Sequence, residues 1–246
     1  SHNQICSKST YDAVMNKRII AVIPARLDSK RFPSKLLADE TGKPLIQYAW
    51  EVANAAESVD AVIIATDSVD IAKSVESFGG KVVMTATHPN GTSRIAEALA
   101  DVECDIVVNM QGDEPELDSQ VIDIAVKAIG DYSMSTICCD LLPEEIENKN
   151  VVKVIVGDDG TATDFLRDMP QGRAFRHLGL YVYKPEFLRQ FSSMTATENE
   201  VSRRLEQMRA IDNGFSIAIA HVAPQPSGID TPQQYADFVS RVQARC

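Results

Sequence analysis

Four cations crowd one short stretch of this chain. Arg26, Lys30, Arg31 and Lys35 fall within residues 24–35, directly after an apolar run that ends at Ile23. Like charges this close repel one another, so a polyanion is their natural partner. Lysine, arginine and backbone N–H groups together suit a triphosphate. Loops are polar in any case, so a solvated surface segment reads equally well from composition alone. A second stretch, Gln111-Gly112-Asp113-Glu114-Pro115, places carboxylates at the end of another apolar run. Oxygen ligands there suit Mg²⁺ held together with substrate phosphates; the same residue types also build an ordinary turn. Asp230 lies in Gly228-Ile229-Asp230-Thr231-Pro232, where it reads equally as part of a helix N-terminal cap. His177, Tyr181 and Tyr183 fall on one expected strand, and period two puts them on one face. They suit a polyol pocket, or a sheet face packed by amphipathic rings, which is the commoner use of such residues. His88 and His221 show no metal-ligand spacing.

The elements that must carry these residues follow from periodicity. Residues 18–23 and 61–65 are short apolar runs of the kind buried on both faces of a parallel sheet, and 81–84 and 105–109 read as further short strands. Helical stretches alternate with them: 44–58 opened by Pro44, 69–78 stopped by Gly79-Gly80, 91–102, and one from Asp118 to about 130. Alternation of this kind argues for βαβ units and a parallel sheet, with ligands at the carboxyl ends of the strands. The polar segments 24–35, 66–68 and 111–115 each follow a strand, so all three are expected along one edge. The second half reads as strands 133–140, 151–156, 163–167 and 176–183 with short connections, and Asp158-Asp159-Gly160 as a hairpin turn. A helix at 199–213, a strand at 215–222 and a terminal helix from Thr231 complete the pattern. The fold class expected is α/β, a mainly parallel central sheet flanked by helices with a smaller antiparallel extension. One continuous domain over 18–246, after a loose polar arm at 1–17, is the simplest organisation.

Composition narrows the function. The 246 residues carry a formal charge of −11. An acidic chain is poorly suited to coating a nucleic acid polymer. No apolar run of about 18 residues is present, which excludes a transmembrane helix, and residues 1–17 lack the apolar region of a secretory signal. A cytoplasmic location is expected. The cysteines Cys6, Cys104, Cys138, Cys139 and Cys246 are odd in number and lack Cys-x-x-Cys spacing, so reduced thiols are expected. Neither Gly-x-Gly-x-x-Gly nor Gly-x-x-x-x-Gly-Lys-[Ser/Thr] occurs, which removes the main signatures of a dinucleotide fold and a P-loop.

Taken in order, several stretches resemble one family. They are Ile23-Pro24-Ala25-Arg26 with Arg31-Phe32-Pro33-Ser34-Lys35, Gly42-Lys43-Pro44, Ala65-Thr66-Asp67, Phe78-Gly79-Gly80, Met84-Thr85, and Gly91-Thr92 with Arg94. Residues 108–115, 176–181, 205–209 and 228–232 continue the series. Over about residues 18–245 the chain resembles the 3-deoxy-manno-octulosonate (Kdo) cytidylyltransferases, also called CMP-Kdo synthetases. The resemblance implies a nucleotide-diphospho-sugar transferase fold, usually dimeric, and transfer of CMP from CTP to the anomeric hydroxyl of an acidic sugar, Kdo. It implies that Arg26, Lys35 and Asp113 are catalytic and that Pro24, Ala25, Arg26, Lys35, Ala65, Asp67, Arg94 and Gln111 bind nucleotide. It further implies that Gln111, His177, Tyr181 and Glu206 contact the sugar acid, and that Asp113 and Asp230 hold Mg²⁺.

The chain departs from the family pattern at three places. Ser34 stands where a glycine is usual, and Gly91-Thr92-Ser93-Arg94 lacks an aspartate. The segment before the His177 strand is shortened to residues 168–173 and loses a sugar-binding arginine; Arg167 and Arg173 are the arginines at hand. The alternatives are a modified or different 2-keto sugar acid as acceptor, such as 8-amino-Kdo, or a non-catalytic nucleotide-binding relative, which the retained Arg26, Lys35, Asp113 and Asp230 argue against.

Overall fold

A computed structural model describes residues 17–27 and 31–245. The expected arm up to residue 16, Lys30, Cys6 and Cys246 lie outside the described residues. In chain order the elements are β1 (Ile19–Ala25), α1 (Leu45–Ala55), β2 (Ala61–Thr66), α2 (Val69–Ser77), β3 (Lys81–Met84), α3 (Gly91–Ala98) and β4 (Ile106–Asn109). They continue with α4 (Ser119–Ala128), β5 (Met134–Cys139), β6 (Lys153–Val156), β7 (Ala162–Leu166) and β8 (Phe175–Tyr183). The chain ends with α5 (Pro185–Ser193), α6 (Glu198–Arg203), α7 (Met208–Asp212), β9 (Ile217–His221) and α8 (Pro232–Gln243). These form the expected α/β fold, and the described residues group into two compact units drawn from separated stretches.

The first unit spans 20–103, 109–119 and the chain from 225 onward. β1 pairs in parallel with β2, and β2 in parallel with β3. The pairing of β1 runs on through Pro24↔Ala65 and Ala25↔Thr66, although the strand was expected to stop before Pro24. A proline removes one N–H but leaves its carbonyl, and near a strand end the ladder tolerates that loss. α1 buries Leu45, Ile46, Ala49 and Ala53, a stripe of helical period. The Ser68 hydroxyl caps α2 through the Ile71 N–H, and the Asn90 side chain caps α3 through the Ser93 N–H. α3 ends at Ala98 rather than near 102, its exit tightened by Ala100 N–H donating to the Glu97 carbonyl at 3.0 Å. Thr231 and Gln234 form a capping box at the start of α8, with Pro232 in its first turn. Tyr235 and Phe238 of α8 then pack with Leu45 and Ile229.

The second unit spans the described residues up to 19, then 104–108 and 120–224. Its central strand β5 pairs antiparallel with β8 and parallel with β9. β6 and β7 form the expected hairpin about 157–161, and β6 also pairs β8. The helix expected at 199–213 is broken. Arg204 takes a left-handed conformation, φ 56° and ψ 49°, so α6 ends at Arg203 and α7 begins at Met208. Helix α5 was not expected, although Pro185 in its first turn is a start signal. It buries Phe187, Leu188 and Phe191. Cys138 and Cys139 are buried free thiols, and burial above all pushes the Cys138 thiol up to about 12.

Candidate active site

In the first unit the three polar segments do meet at the carboxyl ends of the strands. Pro24 and Ala65 are register partners, and a Cβ on Gly91 would lie 3.0 Å from the Pro24 ring, a tight contact that glycine avoids where α3 begins. A Cβ on Gly112 would lie 3.3 Å from both Ile23 and Leu36. The segment around Asp113 therefore lies against the end of β1. Its carbonyl accepts from the Ile229 N–H at 2.8 Å, which brings Asp230 alongside.

Lys35 is the hub of this arrangement. It opens a 3₁₀ turn, Lys35–Leu37, whose N-cap Ser34 has φ 53°. That is the left-handed region a glycine takes without cost. The Lys35 ammonium donates to Asp113 Oδ2 at 2.6 Å and to the Ile229 carbonyl at 2.6 Å, and lies 3.7 Å from Asp230 Oδ1. Its side chain is only 8% exposed. Arg31 Nη2 reaches the other oxygen of Asp230 at 3.1 Å. Two carboxylates from sequence-distant segments thus converge on one cation. Arg26 is exposed at the end of β1 and pairs with no described residue.

Asp67 and Arg94 form a second group. Arg94 Nη1 lies 3.2 Å from Asp67 Oδ1 and donates to Thr85 Oγ1 at 2.8 Å. Burial opposes the Asp67 charge, but hydrogen bonds from Arg94 and Thr87, with the Arg94 charge, hold its carboxyl below the usual range. Gln111 Nε2 donates to Asn109 Oδ1 at 3.2 Å.

The second unit holds the other expected residues. His177 and Tyr181 share one face of β8 with ring centroids 5.4 Å apart, and Tyr183 stacks next at 6.1 Å. Phe165 meets the His177 ring edge-on at 4.9 Å. His177 Nε2 lies 2.9 Å from Thr136 Oγ1. Burial pushes the imidazole down to about 3, so the ring is neutral. Burial, and then the charge of Glu206, push the Tyr181 hydroxyl up. Glu206 lies in the break between α6 and α7, 3.7 Å from Arg209 Nη2. Arg167 is occupied: it donates to the carbonyls of Arg203, Lys149 and Arg204 at 3.0, 3.2 and 3.3 Å. Arg173 is exposed, its guanidinium 4.7 Å from the centre of the Phe175 ring.

Two contributors escaped the residue-by-residue reading. Arg31 belonged to the basic stretch but was given no separate role; only the fold shows that it reaches Asp230. Thr136 carries no local signal, because its place beside His177 depends on strand register.

Comparison with known proteins shows the class of enzyme to which the chain belongs. The model of the cytidylyltransferase family matches residues 20–217, and the chain belongs to this family of enzymes. The resemblance drawn from the sequence is borne out among curated relatives. The 3-deoxy-manno-octulosonate cytidylyltransferase of Geobacter metallireducens is 38% identical over 250 residues, 92% of this chain and 98% of that protein. The enzyme of the same name from Chlorobium limicola is 39% identical over 241 residues, 92% of this chain and 97% of that protein. A solved structure of CMP:2-keto-3-deoxy-manno-octonic acid synthetase complexed with CTP superposes with a TM-score of 0.88 at 32% identity, over 93% of this chain and all of that one. An inositol-1-phosphate CTP transferase from T. maritima shares the fold alone, with a TM-score of 0.65 at 13% identity over 91% of this chain and 96% of that one.

Proposed function

We propose that this enzyme transfers CMP from CTP to the anomeric hydroxyl of Kdo, releasing pyrophosphate. It acts with Mg²⁺ in the cytoplasm, as a homodimer, and supplies lipopolysaccharide synthesis. The observation that carries the reading is the convergence of Asp113 and Asp230 on one buried ammonium at the end of β1. Relatives of 38–39% identity that bear the Kdo cytidylyltransferase name support the choice of acceptor.

The residues fit a divalent metal. Two carboxylates already gather about one positive charge, and Mg²⁺ typically takes one or two carboxylates with waters and substrate phosphates. Among the described residues no group of three or more His, Cys, Asp or Glu could hold a metal unaided, so the remaining ligands would come from substrate. When bound, Mg²⁺ supplies charge neutralisation and orients the attacking hydroxyl. Asp113 and Asp230 would hold it. Lys35, Arg31 and Arg26 bind and orient the triphosphate, and Gln111 lies beside Asp113 to meet the substrates. The anomeric oxygen bonds to the α-phosphorus as the bond to the bridging oxygen of the β-phosphate breaks. His177, Tyr181 and Glu206 hold the sugar acid. Positioning and electrostatics carry this chemistry.

The test is pyrophosphate release with CTP and Mg²⁺, offering Kdo, 8-amino-Kdo and sialic acid in parallel. Release with Kdo is expected. Release only with another acid would move the substrate, and none with any of them would remove the catalytic reading.

A further inference from the structure

At the register shift between β5 and β8, pairing jumps from Thr136↔Tyr181 to Ile137↔Leu178. Gly179 and Leu180 are left over at that point. The carbonyls of Leu178 and Leu180 both turn to the Thr136 hydroxyl, at 3.3 and 2.7 Å. A carbonyl only accepts, and a threonine hydroxyl has one proton to give. The shorter contact takes that proton. The hydroxyl therefore faces His177 Nε2, 2.9 Å away, with a lone pair. The ring nitrogen opposite must carry the hydrogen. In a neutral ring the other nitrogen, Nδ1, is then an acceptor. No described residue donates to Nδ1, and His177 keeps 8% of its exposure.

We propose that Thr136 is a positioning residue: by donating to the Leu180 carbonyl it fixes His177 as the Nε2–H tautomer, so that Nδ1 accepts from a hydroxyl of the sugar acid. An acceptor at that point takes a hydroxyl and rejects a carboxylate, which sets the direction in which the acid lies. The inference rests on the reading of His177 as a sugar-acid contact.

The experiment uses the full-length enzyme labelled with ¹⁵N-histidine. Long-range ¹⁵N–¹H correlation, read without substrate, reports the tautomer of each ring, and His177→Phe assigns the resonance. The wild type is expected to show Nε2–H with a bare Nδ1. Thr136→Val, which removes the hydroxyl, is expected to release that preference. It should raise KM for the sugar acid about tenfold, the size of one hydrogen bond, with kcat within about twofold. Thr136→Ser is expected to restore both, which also guards against a folding defect in the valine variant. A wild-type Nδ1–H overturns the proposal. So does an unchanged KM in Thr136→Val beside a raised KM in His177→Phe. An unchanged KM in His177→Phe would instead strike the sugar-contact reading, and the substrate-free spectrum keeps the two failures apart.

Discussion

The Lys35 ammonium meets Asp113, Asp230 and the Ile229 carbonyl, so one side chain draws three segments together. Asp113→Asn and Asp230→Asn keep the shape and remove a charge. Each is expected to cut turnover by about 10²-fold, as loss of a key electrostatic partner does, while circular dichroism stays unchanged. Near wild-type turnover in either would sink the metal assignment. Lys35→Ala is expected to raise KM for CTP; an unchanged CTP dependence would mean that Lys35 only ties Asp113 to Ile229 and does not reach the triphosphate. His177 gives a pH prediction of known sign. Burial pulls its pKa from the ordinary 6.5 down to about 3, so the imidazole is neutral above that. The unfolded state therefore binds a proton that the native state refuses, and stability falls as pH drops from about 6.5 toward 3. The slope from one such group is about 1.4 kcal/mol per pH unit. Urea unfolding from pH 6 to 4.5 should show the wild type losing stability more steeply than His177→Phe, by up to about that slope. Parallel slopes would refute it.

Elements explain why some of this was legible and some was not. The buried strands read directly, because a strand covered on both faces is an unbroken apolar run, as in β1. Two helix starts were legible: Pro44 and Thr231, read as opening helices, stand as the N-caps of α1 and α8. The break at Arg204 was not legible, because nothing in Arg204 itself asks for a left-handed backbone. Arg209 is what the break serves. It donates to Glu200 of α6 and to the Phe191 carbonyl of α5 at 3.1 Å, joining three helices with a side chain 6% exposed. Arg209→Met is expected to destabilise by about 2 kcal/mol, since it strips the part-buried Glu200 carboxylate of its cation. A loss under about 1 kcal/mol by denaturant unfolding would show the pair to be dispensable. Ser34 is the reverse case. The family's usual glycine was visible as a departure, and its cause emerges in φ 53°. Ser34→Gly is expected to leave activity and stability within about 1 kcal/mol of the wild type, because relief of the left-handed backbone offsets glycine's greater freedom when unfolded. A larger loss would mean that the serine side chain has a role of its own.

For the molecule as a whole, the residues proposed for nucleotide and metal belong to the first unit, and His177, Tyr181 and Glu206 to the second. No sequence pattern announced that partition, since the first unit gathers stretches more than a hundred residues apart in the chain, and its carboxylates meet only because Ile229 docks on Asp113. The acidic excess of −11 also hid the site, because a local cationic hub is invisible in a chain average. The partition makes a prediction for hydrogen–deuterium exchange. A ligand that binds only the closed form slows exchange through openings that must release it, by about 100-fold at a concentration 100 times Kd. CTP with Mg²⁺ is expected to protect the backbone around 24–27, 35–37, 66–68, 91–94, 111–113 and 228–230. Kdo added with a non-reactive CTP analogue is expected to extend protection to 176–181 and 205–207. Protection of 176–181 by Kdo without change in the first group would confirm that His177 and Tyr181 contact the acid. Kdo protecting neither stretch, with CTP protection intact, would leave a cytidylyltransferase whose acceptor is some other molecule.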